Sequence, residues 1–101
     1  MQNRTIEILE DAENGTLKTD PDSKRVSAKC DKEVEWTSDL PDWRVIFGPN
    51  APVHPKVASR AQPVLQLKWH RPEDIRHVKY TVVAWTGKGL KHVDPELIVD
   101  E

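Results

Sequence analysis

A chain of 101 residues, 32% of them charged and 37% hydrophobic, has the size of one globular domain around one core, which excludes a division into two domains and makes residues 1–101 a single unit. Its net charge of −2, from 15 Lys and Arg against 17 Asp and Glu, provides no basic face for a phosphate backbone or an anionic membrane, so nucleic acid and membranes are excluded as expected partners. The single cysteine, Cys30, excludes an internal disulfide and a thiolate metal cluster, and the core must hold by packing.

The N-terminal segment Met1-Gln2-Asn3-Arg4-Thr5 has no apolar signal-peptide core and no run reaches 18 apolar residues, so the expected location is cytoplasmic; an exported mature domain restarted with Met would read the same. Thr5-Ile6-Glu7-Ile8-Leu9-Glu10 alternates as a strand with Ile6 and Ile8 inward, and Asn14-Gly15 is a turn pair. Asn3-Arg4-Thr5 and Asn14-Gly15-Thr16 match the glycosylation acceptor pattern, which has meaning only after secretion. Asp20-Pro21-Asp22-Ser23 is a second turn. Val26, Ala28 and Cys30 then alternate with polar residues, as do Val34 and Trp36 after the Asp31-Lys32 turn.

Trp43-Arg44-Val45-Ile46-Phe47 is a further apolar strand, stopped by Gly48-Pro49. Four prolines between Gly48 and Pro63 forbid helix and central strand and predict a long extended loop near 48–63. Leu65, Leu67 and Trp69 alternate as another strand, and Pro72-Glu73-Asp74-Ile75-Arg76 suits one helical turn. His77 to Trp85 is rich in β-branched and aromatic residues and predicts a long central strand, broken at Gly87 and Gly89. Pro95 launches a closing strand through Leu97-Ile98-Val99, whose three consecutive apolar residues need cover on both faces or a partner. Seven or eight short strands with turns between them predict an all-β, antiparallel Greek-key β-sandwich.

Within this order, Ala28-Lys29-Cys30-Asp31-Lys32-Glu33-Val34-Glu35-Trp36, Trp36-Thr37-Ser38-Asp39, Tyr80-Thr81-Val82-Val83-Ala84 and Leu97-Ile98-Val99 resemble segments of the cupredoxin fold, the β-sandwich of blue-copper proteins and their copper-free relatives. The resemblance spans residues 5 to 100 and implies a cupredoxin-like sandwich. A blue-copper site needs two imidazoles, a thiolate and a weak axial ligand. Where the resemblance places the first histidine stands Trp43, and where it places the cysteine stands Ala84; no His lies in Trp85 to Gly89, and the sole Met is Met1. The copper ligands are missing residue by residue, and no cofactor is expected. An immunoglobulin-like sandwich is the alternative fold, without its two-cysteine and Trp framework.

His54, His70, His77 and His92 show no short metal-ligand spacing. His54 and His92 both fall in predicted loops, and their convergence would make a metal-binding or redox protein, the alternative function. Lys68, Arg71 and Arg76 beside His70 and His77 read as a solvated charged rim with Glu73 and Asp74 between them, rather than as an anion site. Ser23, Ser27, Ser38 and Ser59 lack a nucleophile elbow, and Cys30 alternates as an inert core residue. Nothing positive marks an enzyme, and a small hydrolase is the third reading.

Trp36 and Trp69 fall inward. Trp85 is out of phase with Tyr80, Val82 and Ala84, so Trp85 and Val83 face the opposite side of the sheet, where the Pro-rich loop or a partner must meet them. Val83, Trp85 and Trp43 are the candidate interaction surface. The leading function is a noncatalytic, copper-free interaction module that binds a protein partner or self-associates.

Overall fold

The computed structural model describes residues 5–11, 13–20, 23–27, 33–51, 53–67 and 77–100. Eleven strands and no helix occur among them: β1 Thr5–Asp11, β2 Thr16–Asp20, β3 Ser23–Ser27, β4 Glu33–Ser38, β5 Trp43–Phe47, β6 Val53–His54, β7 Val57–Ser59, β8 Val64–Leu67, β9 His77–Thr86, β10 Gly89–Val93 and β11 Glu96–Asp100. They form two sheets, one ordered β2-β1-β4-β8-β6 and the other β3-β11-β9-β5-β7, with β10 also paired to β9. The inner faces share one core, as a β-sandwich requires. Cys30, Trp69, His70, the Asp31-Lys32 turn and the expected helical turn at Pro72 to Arg76 lie outside the described residues.

The expectation of purely antiparallel sheets is corrected, because each sheet contains one parallel pair, β1 with β4 and β3 with β11. The reason is the crossing between β2, which ends at Asp20 in one sheet, and β3, which begins at Ser23 in the other. After that excursion β4 returns beside β1 in the same direction, and parallel neighbours need such a crossover connection.

Period two decides which side chains enter the core. Ile6 and Ile8 of β1, Leu17 and Thr19 of β2, Val34 and Trp36 of β4, and Leu65 and Leu67 of β8 are buried from one sheet. Trp43, Val45 and Phe47 of β5 and Val78, Tyr80, Val82 and Ala84 of β9 are buried from the other. Trp36 meets Phe47 edge-on at 5.9 Å and Tyr80 at 5.6 Å, while Phe47 and Tyr80 stack at 4.8 Å. The Trp36 indole N–H donates to the Tyr80 hydroxyl at 3.4 Å, so these three rings tie the two sheets together at their centre.

The Pro-rich segment is more ordered than a simple extended loop. It carries β6, which pairs β8, and β7, which pairs β5. Both are short strands at sheet edges, the place where neighbouring prolines are tolerated because one side of the strand needs no donor. Lys56 fixes the intervening turn by donating its ammonium to the carbonyls of Ala51 at 2.5 Å and Val53 at 2.8 Å. Ser59 and Gln62 exchange backbone hydrogen bonds of 3.0 and 3.1 Å and turn the chain into β8.

Candidate interaction surface

The surface is organised by β9, the longest strand at ten residues. Along one edge it pairs β5 from Tyr80 to Ala84. Along the other it pairs β11 at His77 to Lys79 and β10 at Val82 to Thr86, with Asp94-Pro95 between them. Tyr80 N–H donates to Pro95 O at 3.1 Å, so the ladder continues across the interruption. With both edges occupied, only the two faces of β9 differ in exposure.

Its inward residues are core, and its outward residues are His77, Lys79, Thr81, Val83 and Trp85. Register then assembles the neighbours. Leu90 lies opposite Trp85, Arg44 and His92 lie on either side of Val83, and Ile46 lies opposite Thr81 with Val57 beyond it on β7. Trp85 is 55% exposed, Leu90 57%, Ile46 41% and Val57 45%. These are the large exposed hydrophobics among the described residues, and all four stand on this one face.

Charges on the face are largely self-compensated. Arg44 donates to Asp42 at 2.9 Å and to Trp43 O at 3.0 Å, and the Thr81 hydroxyl donates to the Asp94 carboxylate at 2.8 Å. The Lys79 ammonium reaches Asp94 O at 3.4 Å, and the His77 Nδ1 lies 3.2 Å from Glu96. These exposed contacts orient side chains and contribute little stability. Between them the relief is uneven. A groove of about 590 Å³ opens over Ile46, Gly48, Lys79, Thr81 and Asp94. A smaller notch of about 170 Å³ lies beside Arg44, Val83, Trp85 and Leu90.

Of the three surface residues expected from sequence, Val83 and Trp85 stand on this face and Trp43 does not. Trp43 is 2% exposed, because β5 alternates and Trp43 is in phase with the buried Val45 and Phe47. That phase was present in the sequence, but Ile46 beside it is equally apolar and blurs the alternation. Leu90, Ile46 and Val57 were missed, since only strand register brings them next to Trp85 and Val83. The Pro-rich segment does not cover Trp85; its β7 lies beside β5, on the far side from β10.

Trp43 and Ala84, the positions at which the resemblance would place copper ligands, are direct cross-strand partners. Both are buried, and the Trp43 indole N–H has no hydrogen-bond partner among the described residues. Neither side chain is a metal donor. His54 on β6 and His92 on β10 belong to different sheets, and both are exposed. Among the described residues no group of three or more His, Cys, Asp and Glu could hold a metal ion. Ser38 has a structural task, donating to Ile8 O at 2.7 Å and accepting from Leu40 N–H at 3.1 Å. No helix of the described residues is long and apolar enough to cross a membrane.

Compared with protein-family models, with curated proteins and with solved structures, the chain has no significant match.

Proposed function

We propose that this protein is a noncatalytic, copper-free, cupredoxin-like β-sandwich that works as an interaction module, meeting a protein partner through the outer face of its six-stranded sheet. The observation that carries the reading is the concentration of Trp85, Leu90, Ile46 and Val57 on one face, because large hydrophobics gathered on one exposed face among charged and polar neighbours mark a binding surface. The cupredoxin-like part is supported by the chain's crossing between two mixed sheets. The copper-free part is supported by Trp43 and Ala84, the positions that the resemblance would give to copper ligands, which are cross-strand partners carrying no metal-donor group.

The test compares the wild type with Trp85→Glu/Leu90→Glu in native extracts, following the size of the complexes that tagged protein enters. A partner bound by the wild type and lost by an equally stable double variant is the expected result. Identical behaviour of the two proteins would defeat the reading. Copper and zinc calorimetry tests the competing metal function: stoichiometric uptake abolished by His54→Ala or His92→Ala would replace an interaction role with a metal site.

A further inference from the structure

We propose that Asn14-Gly15 is a site of spontaneous deamidation with Asp11 as its brake, so that the β1–β2 turn carries a slow covalent change whose rate the fold sets. Of the three asparagines, Asn3, Asn14 and Asn50, Asn14 is the one that a glycine follows. A following glycine lets the backbone nitrogen approach the asparagine side chain, because no Cβ stands in the way.

The chemistry needs no reactant but water. Once base has removed its proton, the Gly15 amide nitrogen attacks the Asn14 Cγ; a C–N bond forms, the Cγ–Nδ2 bond breaks and Nδ2 leaves as ammonia. Water then opens the resulting five-membered imide. Opening at the side-chain carbonyl leaves an aspartyl residue, and opening at the main-chain carbonyl leaves an isoaspartyl link with one added carbon in the backbone. Nothing is oxidised or reduced.

The fold restrains both reacting groups through one residue. Asn14 is exposed, open to solvent base and water, but its amide is turned back to donate to the Asp11 carboxylate at 3.0 Å. The backbone N–H groups of Glu13 and Asn14 donate to the same carboxylate at 3.1 and 3.4 Å. Gly15 N–H, the nucleophile, donates to Asp11 O at 2.6 Å, which shields its proton from base. Gly15 is itself buried, with φ of +68° and the aliphatic chain of Lys88 packed where a Cβ would stand. Reaction therefore waits on a local opening of the turn in which the bonds to Asp11 are released.

The products undo the clamp. An aspartyl residue sets a second carboxylate where the Asn14 amide met Asp11, and like charges replace a hydrogen bond. An isoaspartyl link lengthens the backbone of a hairpin whose register pairs Asp11 with Thr16, and turn geometry is what fixes that register. The change also reaches the other sheet. Lys88, in the turn between β9 and β10, rests on Gly15 and sends its ammonium to Glu13 O at 3.4 Å, so deamidation loosens the contact between the two hairpins.

The experiment incubates the full purified chain at mildly alkaline pH, folded in buffer and unfolded in urea, and follows Asn14 by ion exchange, fragment mass and enzymatic detection of isoaspartate. The unfolded chain should convert at Asn14, and the folded wild type more slowly. Asp11→Ala, shown folded by circular dichroism, should convert about tenfold faster than the wild type, the effect of releasing a hydrogen bond to a charged group from the closed turn. Glu13→Ala, which leaves every bond to Asp11 in place, should convert at the wild-type rate. Where Asp11→Ala does not fold, Asp11→Asn reads the same brake, since it keeps the side-chain shape with one acceptor oxygen fewer, and it too should be faster. A folded wild type that converts as fast as the unfolded chain overturns the brake, as does a folded Asp11 variant no faster than the wild type or a Glu13→Ala chain that matches it in speed. Asn14 staying intact in both the folded wild type and the folded Asp11 variant overturns the site. Asn14→Asp, which makes the aspartyl product directly, should melt below the wild type at the same pH; an equal melting temperature overturns the effect on the turn.

Discussion

The two outer faces of the sandwich obey the same alternation and end with opposite character. On the five-stranded sheet the outward positions include Glu7 of β1, Lys18 and Asp20 of β2, Glu33, Glu35 and Thr37 of β4, and Gln66 of β8, all exposed and polar. On the six-stranded sheet the corresponding positions include Trp85, Leu90, Ile46 and Val57. A sheet with one solvated face needs polar residues there, and β4 meets that need with the pattern Glu33, Glu35, Thr37. β5 and β9 do not. An outward Trp adds nothing to the core, and this contrast between the sheets is what sets the outer face of the six-stranded sheet apart.

The contrast requires both sheets to be intact, and the largest effects come from breaking one. Deleting residues 95 to 101 removes β11, which lies between β3 and β9 and brings Leu97 into the core. The remaining chain should lose the cooperative transition seen by circular dichroism and elute as aggregate. A soluble truncation with a sharp melt would mean that β9 holds the six-stranded sheet without its neighbour. Next in size is Trp36→Ala. Trp36 is 1% exposed and contacts both Phe47 and Tyr80 from the opposite sheet, so truncation should cost on the order of 3–5 kcal/mol. Denaturant titration measures it, and a loss below about 1 kcal/mol would be too small for a central core tryptophan.

Much of this was legible because period two survives wherever one face is polar. Val34 and Trp36, set between Glu33, Glu35 and Thr37, could be placed inward from sequence alone, and the outward phase of Trp85 followed from Tyr80, Val82 and Ala84. Legibility failed where both faces are apolar. In Trp43 to Phe47 only Arg44 breaks the run, so the phase of Trp43 was ambiguous and burial had to decide it. The mixed sheets were hidden for a different reason: strand direction depends on which sheet the chain enters after Asp20, and no local propensity records that. Leu90 joined Trp85 through the turn at Gly87-Lys88, a register effect invisible to composition.

Substitutions on the outer faces should leave folding nearly unchanged and separate the sheets by association. Trp85→Glu, at a site 55% exposed, should shift stability by no more than about 0.5 kcal/mol while abolishing association through this face. The converse variant, Glu35→Leu with Thr37→Trp, places an apolar pair on the polar sheet and should create self-association in a background carrying Trp85→Glu. Analytical ultracentrifugation reads both. If the converse variant stays monomeric, exposed apolar area alone does not confer association, and the groove over Ile46, Lys79 and Thr81 becomes the decisive feature of the six-stranded face.

The smallest effect concerns the turn that closes the β1–β2 hairpin of the polar sheet. The Asn14 side-chain amide donates to the Asp11 carboxylate at 3.0 Å, and the backbone N–H groups of Glu13 and Asn14 donate to it at 3.1 and 3.4 Å. Chiefly through the Asn14 side chain, Asp11 is held below its ordinary value of 3.8; desolvation, the next cause in size, opposes this, and the two backbone amides and the charge of Lys18 add to the lowering. Each donor favours the ionised form, so a depressed carboxylate contributes stability above its unfolded value and loses it as pH falls through the lower folded value. The melting temperature of the wild type should therefore exceed that of Asp11→Ala by its full margin at pH 6. That margin should shrink as the solution is acidified below about pH 4, near the unfolded carboxylate value, because protonation removes the charge to which the three donors are directed. Paired thermal melts from pH 6 downward check it. A margin constant over that range would mean that Asp11 closes the turn by shape alone, through its backbone carbonyl accepting from Gly15 N–H at 2.6 Å, with no part played by its charge.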